Sequence, residues 1–204
     1  KFLAFEQILK NSLTTLQIEH IAGVLAARRL DYAILHQVPD SHWFTCRATE
    51  QPHPDYLRRK IHYTDYEDTD SPATACQFLA ITDPSEELFA EITEVLTEFS
   101  VIRATSPLDH HSMWIEVYPK GVSKASACER IRQLCAISPR STLAIGNDYN
   151  DIDLLIWADR GIVVGNAPDA VKDRFPSVAD NNSCGFTEAV LRSDITDYAD
   201  DINA

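Results

Sequence analysis

"LAIGNDYNDIDLL", residues 143–155, is the stretch whose reading decides the fold. A short apolar run stops at Gly146, and Asn147, Asp148, Asn150, Asp151 and Asp153 crowd in behind it. Apolar residues then resume at helical spacing. A buried strand that turns directly into a helix is the joint of an open parallel sheet, whose ligands sit beyond the C-terminal strand ends. Carboxylates held this close repel one another, and a second ionisation is costly without a cation. A hard divalent cation removes that cost, and an oxygen-only set without His or Cys favours Mg²⁺ over zinc or copper. Mg²⁺ with few protein ligands usually also binds substrate phosphate. Helix capping accounts for one or two of these residues, since Asp and Asn favour N-caps and acids suit a helix N-terminus. It does not account for four of the five positions 147–151. An EF-hand fails, because the ligand alternation breaks at Tyr149 and Ile152 and no Gly stands at the sixth loop position.

Outward from this joint the second half is regular. A strand at 112–119 leads to a helix at 123–137, with Ser123 as N-cap and an apolar stripe of Ile131, Leu134 and Cys135. Short apolar strands in "STLAIG", "GIVVGN" (161–166) and "SVAD" alternate with helices in "NDIDLLIWAD", "APDAVKDRF" and "GFTEAVLRS". That alternation predicts a parallel sheet with helices on its faces. The first half has a different grain. An amphipathic helix at 13–29 carries Ile18, Ile21, Ala22, Leu25 and Ala26 along one face. Strands in "LDYAILHQV" and "SHWFTCRA" join across Pro39-Asp40. "PDYLRRKIHY" is a short helix, "CQFLAIT" a strand, and 85–99 a helix capped by Ser85. "SVIRATS" and "SMWIEVY" close the set as a strand pair. This half reads as α+β, with helices on one face of an antiparallel sheet. The composition shifts at Pro119-Lys120-Gly121, so the expected division is 1–118 and 119–204.

Composition narrows the function. The formal net charge is −13, with 31 acidic against 18 basic side chains. That excludes a broad basic face for nucleic acid or an anionic membrane. No apolar run approaches the ~18 residues of a membrane span. The five cysteines are odd in number and form no C-x-x-C pair, which fits reduced thiols in a cytoplasmic protein.

Two further features accompany the acidic cluster, the second of them at the same sheet edge. Lys124, in "YPKGVSKASA", opens a helix, where its charge opposes the dipole. It is either a solvated surface residue or the holder of an anion or carboxylate. Gly165 and Asn166, in "VVGNAPDAV", follow a strand and precede a helix, so backbone N–H groups there face an anion or simply close a turn.

"GVSKASA", "GNDYNDIDLL" and "GNAPDAVKDRF", in that order and spacing, resemble the haloacid dehalogenase superfamily in its Cof-type branch of capped phosphatases. "VADNNSCGFTEAVL" is similar to the closing strand, loop and helix of that branch, and the match spans roughly residues 112 to 192. The first half resembles the branch's α/β cap in topology. The resemblance implies an α/β fold, a Rossmann-like parallel-sheet core carrying an α+β cap domain, and Mg²⁺-dependent phosphoryl transfer through an aspartyl-phosphate. Lys124 then neutralises nucleophile and phosphoryl oxygens, and Asn150, which falls on the metal motif with Asp151, is the second catalytic residue. Asn147, Asp148 and Asp151 fall on the metal motif and Asn166 on the substrate-binding turn. The partner is a small phosphorylated metabolite.

The sequence departs from the pattern at two places. The family's first acid after the Gly is here Asn147, and Asp148, one place on, is expected to take over metal binding. The family's D-x-D nucleophile after a first apolar strand has no counterpart: "DYEDTD" (65–70) follows no strand. The chain is therefore expected to begin inside or just before the cap, with the first core strands on a preceding segment. These residues alone are expected not to hydrolyse substrate. The alternative is a catalytically inactive binding module of the same fold. A phospho-receiver-like domain also uses clustered Asp and a Lys, but no acceptor Asp ends an isolated strand and the first half would be superfluous. In that first half His42, Trp43, His110 and His111 are side chains of a kind that reads a sugar or base, or ordinary surface and packing residues.

Overall fold

The computed structural model describes residues 11–36, 44–62 and 72–193, without the side chains of 59–62. The expected turn at Pro39-Asp40, the pair His42 and Trp43, the stretch 65–70 and the acidic tail lie outside the described residues. The chain divides into two compact units, Lys1–Val122 and Ser123–Ala204.

The first unit is built on one antiparallel sheet. Its elements are β1 (Leu13–Thr14), α1 (Thr15–Ala27), β2 (Asp31–His36), β3 (Phe44–Arg47), α2 (Pro54–His62), β4 (Thr74–Thr82), α3 (Glu86–Val95), β5 (Phe99–Thr105) and β6 (Met113–Pro119). The strand order is β3-β2-β4-β6-β5, with β1 added to β4. Helix α1 starts where Thr14 accepts the Gln17 N–H and the Gln17 side chain returns to the Thr14 N–H, a reciprocal cap. Ser85 caps α3 by accepting the Leu88 N–H at 3.1 Å. Helices α1 and α3 share one sheet face. Ile18, Ile21, Leu25, Ile92 and Leu96 pack there with Phe78, Ala80, Ile115 and Val117. The expectation of helices on one face only is corrected by α2, whose Tyr56 packs with Ala33, Leu79, Ile81 and Trp114 on the other. Asp55 explains the docking: it is fully buried and accepts the Trp114 indole N–H at 2.7 Å.

The second unit holds α4 (Lys124–Leu134), β7 (Leu143–Gly146), α5 (Ile152–Trp157), β8 (Arg160–Val163), α6 (Asp169–Lys172) and α7 (Gly185–Arg192). Strands β7 and β8 pair in parallel, from Leu143 opposite Arg160 to Gly146 opposite Val163. "SVAD" adds a single parallel bridge, Ser177 to Val163, in place of a full strand. Ala144 and Val163 pack under Leu155 and Val171 of α5 and α6. Val164 and Val178 pack under Ala189 of α7. Helices on both faces of parallel strands make this the Rossmann-like half of an α/β fold.

The apolar stripe expected on α4 is not buried. Ile131 and Leu134 are 58% and 52% exposed, and Cys135 is exposed. Polar contacts hold α4 to α5 instead. The Trp157 indole N–H donates to Glu129 at 2.9 Å. Hydrogen bonds from Arg132, Trp157 and Gln133 hold the Glu129 carboxyl down at about 2. Among the described residues no helix is long and apolar enough to cross a membrane.

The loop between β5 and β6 closes on Asp109. Burial alone would raise its pKa, but hydrogen bonds from Ser112 and the His111 N–H, with Arg58 alongside, bring it down to about 2. A folded-state value below the unfolded ~3.9 gives stability that is full above pH ~4 and is lost as pH falls toward 2. Asp109→Asn is expected to flatten the stability profile across that window, measured by urea unfolding at pH 3 and pH 6.

Candidate active site

The site grows from the C-terminal end of β7. Gly146 has no side chain because Asp151 lies over it; a Cβ there would stand 2.6 Å from the Asp151 Cβ. That close approach lets one oxygen of Asp151, Oδ2, accept the N–H groups of Asn147 at 2.8 Å and Asp148 at 3.3 Å. The turn is closed by the Asp151 N–H donating to the Asp148 carbonyl at 3.1 Å. Asp151 is 6% exposed and Asp148 8%. Two carboxylates are thus withdrawn from water within one turn.

The other oxygen of Asp151, Oδ1, accepts the ammonium of Lys124, which also donates to the Asn150 side-chain oxygen at 3.1 Å. Lys124 is delivered there by its helix. Ser123 caps α4 by accepting the Ser126 N–H at 3.2 Å. Asp153 of α5 accepts the next free N–H, that of Ala125, at 3.2 Å. Asp153 therefore pins the start of α4 to α5. Lys124, Asn150 and Asp151, which the sequence analysis singled out separately, meet in one hydrogen-bonded group. The aliphatic stem and tip of Lys124 stay about half exposed, at 47%.

The carboxylate crowding of residues 147–153 is in large part relieved by the protein itself. Asp151 takes one cation and two backbone donors; Asp153 takes a helix N-terminus. Asn147 is exposed on the turn, and Asp148 is buried beside it. Among the described residues no cluster of three or more His, Cys, Asp or Glu is arranged to hold a metal. The donors Asn147 and Asp148 are both hard oxygens, which fits Mg²⁺, an ion that keeps several waters and takes few protein ligands.

Asn166 stands at the end of the next strand, β8. It is exposed, and its side-chain oxygen accepts the Asn181 N–H at 3.1 Å. Gly165 N–H donates to the Ala179 carbonyl, and a Cβ at Gly165 would stand 3.0 Å from the Asp180 nitrogen. The two loops are thereby tied together, with the Asn166 side-chain oxygen taken up by the Asn181 N–H. Asp180 was missed by the sequence analysis. It sits at the same strand edge, with a buried Oδ1 that has no hydrogen-bond partner among the described residues. Its position after "SVA" was the available signal. His110 and His111 are exposed in the β5–β6 loop.

A parallel sheet whose strand ends carry a lysine–carboxylate pair and an oxygen-rich turn defines a class: an α/β protein with a charged site at its strand ends. The chain belongs to the haloacid dehalogenase-like hydrolases, whose family model matches residues 2–187. It is similar to an HMP-PP phosphatase of Klebsiella pneumoniae, 25% identical over 169 residues, covering 81% of this chain and 60% of that protein. It is also similar to a 5-amino-6-(5-phospho-D-ribitylamino)uracil phosphatase of Bacillus subtilis, 32% identical over 68 residues, 33% of this chain and 27% of that one. In both cases the chain spans less than two thirds of the relative. Among solved structures, a sugar phosphatase of HAD subclass IIB superposes with a TM-score of 0.73 at 18% identity, covering 95% of this chain and 72% of that chain. A Bacteroides thetaiotaomicron phosphatase of the same superfamily gives 0.69 at 17%, covering 92% and 68%. At these identities the structures establish the fold.

Gly146→Ala forces Asp151 off its two N–H donors. It is expected to destabilise the protein by about 1–3 kcal/mol, measured by urea unfolding, and to free the Lys124 ammonium.

Proposed function

We propose that this chain works in a phosphatase acting on a small phosphorylated metabolite through an aspartyl-phosphate. The observation that carries the reading is the Lys124 ammonium, held by Asp151 and Asn150 at the C-terminal end of β7. A fixed cation at a strand end is suited to neutralise the charge that gathers on a transferring phosphoryl group. Asp151 and Asn150 act on Lys124: they orient it and keep it in place. Asn166 offers amide N–H donors to the phosphoryl oxygens from the neighbouring strand end. The names of the relatives, which act on HMP-PP and on a phosphoribityl compound, support a small phosphorylated substrate.

Asp148 and Asn147 would hold Mg²⁺, which when bound supplies further neutralisation of nucleophile and phosphoryl oxygens. With Asp151 engaged by Lys124 and two N–H groups, direct metal contact falls to Asp148 and Asn147. The attacking carboxylate forms its bond to phosphorus as the ester P–O bond breaks, and the leaving oxygen takes a proton; water then cleaves the acyl phosphate. We assign that carboxylate to a D-x-D strand beside β7, not to Asp148 or Asp151. Two observations favour such a strand. Among the described residues β7 is paired only with β8, and Ile131 and Leu134 of α4 present an exposed apolar face. The first unit, residues 1–118 in the sequence-based division, serves in this reading as the cap that selects substrate.

The test is hydrolysis of p-nitrophenyl phosphate, with and without Mg²⁺, by the protein as its gene encodes it. Lys124→Ala is expected to lower kcat by about 10²–10³-fold with its fold intact by circular dichroism. Unchanged kcat in Lys124→Ala removes the lysine from the chemistry. An inactive wild-type protein that still binds phosphate favours the binding-module reading over the enzyme.

A further inference from the structure

A second site lies in the first unit, where α1 ends against the strands. The surface there opens into a cavity of about 750 Å³ lined by Arg29, Leu30, Tyr32, Arg47, Thr49 and Glu50. That volume is within the ~300–1,000 Å³ range of small-molecule pockets. It faces solvent with two guanidinium groups on a chain whose net charge is −13.

Arg29 carries the argument. It has φ +55°, in the left-handed region. It stands just after the C-cap residue Arg28 and closes the helix: its N–H donates to the Ala26 carbonyl, and the Leu30 N–H donates to the Leu25 carbonyl. Glycine is the residue this position favours, because a Cβ is penalised there. An arginine near a helix C-terminus gains something from the dipole, but Arg28, one residue earlier, already stands there with its guanidinium on the Val24 carbonyl and Glu91. The Arg29 side chain is exposed and makes no hydrogen bond or ion pair among the described residues. Backbone strain at a cavity wall, at a residue whose side chain has no partner among the described residues, points to a ligand-facing role.

The cavity supplies partners for that role. Arg47 leaves the end of β3, and its guanidinium donates to the Cys46 carbonyl at 2.9 Å, which fixes its direction. Tyr32 is buried to 7% exposure, and its ring packs on Phe78. Burial raises the pKa of its phenol while Arg47 pulls the other way, so the group remains a neutral O–H donor at neutral pH. Thr49 is held by its N–H donating to the buried Asp31 at 2.6 Å. The walls thus carry two guanidinium groups, that of Arg47 held by the Cys46 carbonyl, and a phenol.

We propose that this cavity is a binding site for a small molecule with an oxyanion head group, phosphate or carboxylate, held by Arg29 and Arg47. The site lies in the first unit and involves none of the residues assigned to phosphoryl transfer. It therefore stands or falls independently of the proposed activity.

The test is an NMR titration of the ¹⁵N-labelled full chain with inorganic phosphate, and separately with malonate. Saturable shifts are expected at the amides of Arg29, Leu30, Thr49 and Glu50, distinct from any at Gly146 to Asp151. The stronger probe of the two names the head group. Arg29→Gly suits the left-handed backbone, so it is expected to match or exceed the wild-type thermal midpoint while weakening binding at this cavity about tenfold or more. Arg47→Gln is expected to weaken it likewise. Absence of saturable shifts at those amides with both probes, or unchanged binding in Arg29→Gly, overturns the proposal.

Discussion

The second unit depends on one carboxylate with two duties. Asp151 reaches back across its own turn to bind the N–H groups of Asn147 and Asp148, and reaches out to bind the ammonium of Lys124, 27 positions earlier in the chain. An acid buried to 6% exposure is costly unless its lone pairs are filled, and here they are filled by one cation and two backbone donors. Every other feature at the strand end follows from that packing. Gly146 is a glycine because the Asp151 Cβ occupies the space of its own. Lys124 tolerates a place at the positive end of α4 because the carboxylate compensates the dipole. Asp153 adds a second tie, and the start of α4 cannot drift from α5.

This changes what the acidic run is for. Read along the sequence, five polar residues behind a buried strand invite a metal held by Asn147, Asp148 and Asp151. In space, one of the acids holds the lysine and another holds a helix, and in the proposed reading a cation falls to Asp148 and Asn147. In the function we propose, lysine and cation divide the neutralisation of charge on the phosphoryl group.

Much of this was legible from local chemistry. Ser123, Ser85 and Thr14 cap helices where hydroxyls precede apolar periodicity, and "LAIG" followed by "NDYND" marks a strand end at a parallel sheet. The order of Lys124, the acidic turn and Gly165-Asn166 marked the family. What stayed hidden depends on partners distant in sequence. Helix α2 reaches the second sheet face because Asp55 meets the Trp114 indole, 59 residues on. The exposure of Ile131 and Leu134 could not be read from their spacing, because periodicity shows which face is apolar and not whether anything covers it. The hydrogen bond between Asn166 and Asn181 and the cavity between Arg29 and Arg47 join segments 15 and 18 residues apart, with no local signal in the residues between.

The central claim is the division of labour between Asp151 and Asp148. Calorimetric titration of Mg²⁺ into the wild-type protein, Asp148→Asn and Asp151→Asn separates the two duties. The division requires Asp148→Asn to lose most of the Mg²⁺ affinity and Asp151→Asn to retain most of it. Loss of binding in Asp151→Asn, with Asp148→Asn indistinguishable from wild type, would contradict it.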